Sequence, residues 1–209
     1  MINKRVILTL ILSWRCLFAD IFFVLADLNT KKIIEQDIYR LLKWNTLYNK
    51  KIQSSNSIFW LNYSLLFEKS FRSVLYYRMK GSKILCLLNE CFLGRYKTIE
   101  IFAEKEIGKG LVVFHNHSVI FVKSAGENFR VAPGVVIGKN NSHFPTIGNN
   151  VYIAANATVI GDISIGDNVI IGAGCVVTRS IPSNGVYVGN PAKFIKALDK
   201  NSNLWQEIT

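Results

Sequence analysis

Glycine and proline are almost missing from the first half of this 209-residue chain. Of fourteen glycines only Gly81 and Gly94 precede residue 98, and all four prolines follow it. A half without turn formers can hold helices but not short strands joined by tight turns. Cysteine is also scarce, and Cys16, Cys86, Cys91 and Cys175 show no metal-ligand spacing. That excludes a zinc framework and reads as four reduced thiols in a cytosolic protein, with no metal expected. Histidine occurs only at His115, His117 and His143, so proton transfer near neutral pH has few candidates. Long uncharged apolar runs are absent too. Arg15 and Asp20 interrupt Val6–Ala26, which argues against a bilayer-crossing helix, and no A-x-A-like site follows to mark a cleaved signal. Acidic residues are few, 14 against 25 Lys and Arg. The imbalance sits in residues 1–100, with sixteen basic and seven acidic side chains. Such a half suits an anionic membrane or polyanionic acceptor; no nucleic-acid motif accompanies it, and no nucleic-acid partner is expected.

What the chain does have is a period of six. Ile147, Ile153, Val159, Ile165, Ile171 and Val177 are all branched aliphatics, and four places after each comes Val151, Ala157, Ile163, Val169, Cys175 or Ile181. Six fits neither an amphipathic helix nor a flat half-buried strand. It fits short strands joined by tight turns, three to a coil, so that residues eighteen apart stack as a parallel β-helix. The frame extends upstream through Ile101, Ile107, Val113, Val119, Ala125, Val131 and Ile137, with a polar lapse around His117 and Lys123. The ten-residue step from Ile137 to Ile147 places four extra residues in a loop pushed out of the coil wall.

Before the coil the composition is helical. Val6–Ala26, drawn as a helix, gathers Arg5, Thr9, Ser13, Cys16, Asp20 and Asp27 on a narrow polar stripe. Two readings remain for it: burial against other helices or subunits, or a position on the cytoplasmic membrane face. Lys31–Trp44 reads as an amphipathic helix with Ile34, Ile38, Leu41 and Leu42 on one face, Asn45–Ser57 as a connection, and Ile58–Tyr77 and Ile84–Phe92 as further helices. After Ile181 a turn, a short strand and a basic tail drawn as a short helix are expected. The fold class is therefore α+β: a helical domain over 1–98, a β-helix over 99–193 and a tail over 194–209.

Among the histidines, His115 has company. Glu100 lies fifteen residues earlier, which in an eighteen-residue coil is one level away and a few residues round the perimeter. A carboxylate on one imidazole nitrogen fixes the tautomer and leaves the other nitrogen free to take a proton.

The repeat, the GKGLVVFH stretch, PTIGNNVYI and the ending IGAGCVVTRSIPSNGVYVGNPAK resemble the hexapeptide-repeat acyltransferases. Within them they resemble the serine acetyltransferase branch and its relatives that O-acetylate capsule and O-antigen sugars. The resemblance covers residues 97–197, and more weakly the DIYR at Asp37–Arg40. It implies a left-handed parallel β-helix, a homotrimer with sites between subunits, a dimer of trimers through the N-terminal helices, and acetyl-CoA as donor. His115 falls on the family's catalytic histidine and Glu100 on its acidic partner. Gly138, Ala155, Ala173, Arg179 and Lys193 fall where the family lays coenzyme A, and Phe114, His143 and Asp37 on or beside acceptor-binding positions. Phe114 replaces an aspartate of serine acetyltransferases, and Phe144 replaces the histidine directly before the proline. The expected function is acetyl transfer to a hydroxyl of a surface-polysaccharide sugar or precursor. The alternatives are a serine O-acetyltransferase and a non-catalytic β-helix scaffold. The expected location is cytoplasmic, at the inner face of the plasma membrane if residues 6–26 meet lipid.

Overall fold

The computed structural model describes residues 4–44, 57–94, 98–115, 117–140 and 143–198. It divides into two compact units, Met1–Lys97 and Thr98–Thr209. The Asn45–Ser57 connection lies outside the described residues, apart from Ser57.

The first unit is helical: α1 (Lys4–Leu12), a 3-10 turn (Ser13–Cys16), α2 (Leu17–Leu25), α3 (Leu28–Trp44), α4 (Ser57–Phe67), α5 (Lys69–Arg78) and α6 (Lys83–Leu93). Asp27 starts α3 by accepting hydrogen bonds from the Asn29 and Thr30 amides at 2.8 and 3.0 Å, and the Thr30 hydroxyl at 2.6 Å, with the Thr30 amide, holds its carboxyl below the usual range. The apolar face of α3 is buried through Ile34, Ile38, Leu41 and Leu42. The expected Ile58–Tyr77 helix is two, interrupted at Glu68.

The second unit is a three-sided coil of short parallel strands. One sheet stacks β1 (Ile99–Ala103), β3 (Ser118–Val122), β6 (Val136–Gly138), β9 (Thr158–Ile160) and β12 (Val176–Val177). A second stacks β4 (Ser124–Ala125), β7 (Thr146–Ile147) and β10 (Ser164–Ile165). The third stacks β2 (Val112–Val113), β5 (Arg130–Val131), β8 (Tyr152–Ile153), β11 (Val169–Ile171) and β13 (Gly185–Val188), and the antiparallel β14 (Lys193–Ala197) closes its end. The branched residue of each six fills the interior, Ile137, Ile153, Val159, Ile171 and Val177 all being fully buried. Cys175 is inside as well, and burial pushes its thiol pKa up.

Two expectations change. The tail is not helical at its start: K-F-I-K-A pairs back on β13, and Leu198 packs with Ile170, Val186 and Tyr152 on the outside of the third sheet. The inward frame also slips by one. Ile101 pairs with Ile120, not Val119, and Ile120 is fully buried while Val119 is half-buried. The corner after Val113 holds one residue more than six, and the corner after Ile120 holds one fewer.

The corner between the second and third sheets is purely structural. Asn128, Asn150, Asn168 and Asn184 all adopt left-handed backbone there, with φ from 53° to 65°. Each donates from its amide to the next, at 2.8, 3.0 and 2.9 Å. Asparagine tolerates this conformation and supplies both a donor and an acceptor, so the column stitches four coils together.

Candidate active site

The other two corners carry the chemistry-bearing residues. Where the third sheet turns into the first, each coil contributes a corner stacked on the one before. The lowest holds His115 and His117, both exposed and both in left-handed backbone, at φ 53° and 63°. This is the lengthened corner. Two non-glycine residues at positive φ beside an extra residue mark a place where backbone comfort has yielded to side-chain placement. Above it come Pro133–Gly134, then Ala155–Asn156, then Ala173–Gly174, joined by Asn156 N to Pro133 O at 2.9 Å and Gly174 N to Ala155 O at 2.9 Å. At the top, Lys193 pairs with Val188 at the end of β13 and is exposed. One edge of the coil therefore runs from an imidazole, past small residues, to an ammonium group. At about 4.8 Å per strand spacing, and five spacings from β2 to β14, the row is roughly 24 Å long.

Glu100 belongs to the same edge. It lies in β1 directly below Val119, and Ser118 N donates to Thr98 O at 3.1 Å, so the entry to β3 rises over the entry to β1. The exposed carboxylate is one coil below the strand that His115 leads into. Among the described residues no hydrogen bond joins the two side chains. Phe114, the residue before His115, is half-buried.

The remaining candidates stand elsewhere. Gly138 and Arg179 lie where the first sheet turns into the second, and the extruded loop carrying the exposed His143 leaves from that corner. A Cβ at Gly138 would meet nothing within 4 Å, so this backbone is open to a ligand. A single chain thus holds two rows on opposite edges of the first sheet: His115, Ala155, Ala173 and Lys193 on one, Gly138, Arg179 and His143 on the other. Asp37 is in neither. It is 1% exposed in the helical unit and paired with Arg78 at 2.9 Å, which makes it an internal ion-pair partner and not an open acceptor group.

Sequence reasoning missed one feature of this region. Phe102, Phe121 and Phe144 form a ring cluster on the outside of the first sheet, with centroids 5.6–6.2 Å apart, and the Lys139 ammonium lies 5.6 Å from the Phe144 centroid. Phe102 pairs with Phe121 in adjacent coils, and Phe102 lies two residues from Glu100 on the same outward face. Their nineteen-residue spacing was the available signal, but only the slipped frame aligns them.

Residues 144–179 match the family model described as bacterial transferase hexapeptide (six repeats). "Putative colanic acid biosynthesis acetyltransferase WcaB" of Escherichia coli K12 is 39% identical over 112 residues, covering 51% of this chain and 67% of that protein. "Serine acetyltransferase 2" of Arabidopsis thaliana is 27% identical over 215 residues, covering 91% of this chain and 67% of that protein. Among solved structures, the serine acetyltransferase (CysE) of Neisseria gonorrhoeae matches with a TM-score of 0.59 and 26% identity, over 87% of this chain and 70% of that one.

Proposed function

The chain belongs to the hexapeptide-repeat transferases and is an acetyltransferase, and from that premise we propose that it moves an acetyl group from acetyl-CoA to a hydroxyl of a surface-polysaccharide sugar or its precursor. The observation that carries this reading is the exposed His115 on its lengthened corner, with Glu100 one coil below and a row of small residues leading away.

Ala155, Ala173 and the corner glycines give the thin pantetheine arm room to lie close against backbone. Lys193, with Arg179 from the other row, is suited to the nucleotide phosphates. His115 takes the proton from the acceptor hydroxyl as that oxygen attacks the thioester carbonyl. The imidazolium then returns the proton to the departing sulfur of coenzyme A, so the C–O bond forms, the C–S bond breaks and the enzyme ends unchanged. Glu100 orients the imidazole. General-base action of this kind is worth about 10²–10⁴-fold, the remainder coming from holding the two substrates together. The two rows of a single chain stand apart, so a homotrimer in which one copy's His115 edge meets the next copy's Gly138–Arg179 edge would complete the site.

A sugar acceptor is favoured over serine by three side chains. Phe114 and Phe144 offer rings where an amino-acid ammonium group would want a carboxylate or imidazole, and Asp37 is occupied by Arg78. The Phe102–Phe121–Phe144 cluster instead suits the apolar face of a sugar ring. The second reading, a serine O-acetyltransferase, is favoured by the likeness that extends through the helical unit.

The test is release of free coenzyme A with nucleotide sugars or polysaccharide repeat units against L-serine. The expected result is turnover with a sugar acceptor that His115→Ala lowers at least about 10²-fold and Glu100→Gln lowers less. Turnover with serine alone would replace the sugar reading with the second one. Wild-type turnover by folded His115→Ala would remove the assigned base.

A further inference from the structure

The helix formed by α1, the 3-10 turn and α2 is packed with its polarity reversed. Its polar stripe faces inward: Thr9 and Cys16 are buried, Arg5 donates to the Tyr63 hydroxyl at 3.4 Å, and Asp20 accepts from Asn62 Nδ2 at 3.3 Å. The face left outside is apolar. Ile7, Leu10, Ile11, Trp14, Leu17, Val24 and Leu25 fall at helical spacings, and each is at least 45% exposed; Leu28, at the start of α3, is exposed as well. Phe92 of α6 stacks against Trp14 and extends the patch toward exposed Leu87 and Ile84. Exposed lysines flank it in sequence, Lys4 before the stripe and Lys32 after it, with the exposed Asp27 between Leu25 and Leu28, and Lys83 opens α6.

We propose that this stripe docks flat on an anionic lipid surface. The helix spans Lys4–Leu25 and is apolar enough to cross a bilayer by length and composition. Its inner face, however, is engaged by α4 and α6 of its own unit, with Arg15 donating to Phe92 O at 2.7 and 3.1 Å. Only one side can therefore meet hydrocarbon, which is the geometry of an interfacial helix. Lysines on either side in sequence and a tryptophan midway let the apolar side chains sink while the ammonium groups stay among headgroups. An apolar stripe roughly 30 Å long is more than a monomer ordinarily leaves in water. Charge decides the occupant. The first hundred residues carry sixteen basic against seven acidic side chains, a balance that draws this unit to an anionic membrane.

The full chain is sedimented with phosphatidylcholine vesicles and with vesicles in which about a third of the lipid is phosphatidylglycerol. The expected result is binding to the anionic vesicles, reduced at least about tenfold in the double variant Leu10→Glu/Trp14→Glu and reduced also in Lys4→Glu/Lys32→Glu. Circular dichroism checks that both variants keep their helix content, as their exposed positions predict. The proposal is overturned if wild type pellets with neither vesicle, or if either variant binds as wild type does. It is overturned equally if wild type ignores vesicles while Leu10→Glu/Trp14→Glu lowers its sedimentation coefficient, since a second copy then covers the stripe. None of these outcomes depends on the acceptor.

Discussion

Asn168 offers a quantitative test of how the coil is held together. Its amide donates to Asn184 Oδ1 at 2.9 Å, its carbonyl oxygen accepts from Asn150 at 3.0 Å, and its backbone is at φ 56°. In Asn168→Ala both side-chain bonds are lost, at about 1 kcal/mol each for partly buried pairs. Alanine keeps the Cβ but lacks the polar side chain that eases asparagine into left-handed backbone, which adds roughly 1 kcal/mol. The expected cost is about 3 kcal/mol, or roughly 6–12 °C in melting temperature for a chain of this size. Asn168→Gly loses the same bonds without the Cβ strain and should fall short of the alanine variant's loss. Thermal melts followed by far-UV circular dichroism measure both. Because the ladder runs along a different corner from His115, coenzyme A release well below the melting temperature should be unchanged in either variant. A loss under about 0.5 kcal/mol for Asn168→Ala would refute the ladder's assigned role.

Asp20 makes a pH-dependent prediction. Burial raises its carboxyl from 3.8 to about 6 against the hydrogen bond from Asn62, and its Oδ1 is buried with no partner among the described residues. A raised acid binds protons more tightly when folded, so its contribution is intact below the unfolded pKa and is lost as pH rises toward about 6. Asp20→Asn should therefore stabilise the helical unit by about 1–2 kcal/mol at neutral pH, after allowance for its partial exposure, and have little effect near its unfolded pKa. Equal destabilisation at both pH values would count against this. Gly166 tests coil spacing: a Cβ there would lie 2.5 Å from the Ser183 amide nitrogen, so Gly166→Ala should cost about 3 kcal/mol in the same melts. A neutral result would mean that the last coil can shift.

The interior of the coil was legible because a period of six is rare and each branched residue has one place to go. Ile147 through Val177 needed no more than counting. The slip at Val119 and Ile120 was not legible, because one residue added at His115–His117 and one removed near Lys123 leave every later match in frame. Asn128, Asn150, Asn168 and Asn184 are separated by unequal steps, so their column emerges only when the coils are stacked. For the tail, Lys193–Ala197 is drawn to the free edge of β13, an opportunity that local propensity does not contain. The direction in which α1 and α2 face is set by Tyr63 and Asn62, more than forty residues downstream. His115 and Glu100 could be paired from spacing, while the separation of Gly138 and Arg179 from Ala155 and Ala173 required the corners themselves.

The odd count at the His115 corner has a wider meaning. An inserted residue would ordinarily throw every later strand out of phase, yet here the debt is settled before the same turn is finished, and Ala125, Val131 and Ile137 point inward as if nothing had happened. The scaffold can thus tolerate experiments at the His115 bend while the floors above stay as they were. A chain built this way can change what that bend carries without relearning how to fold.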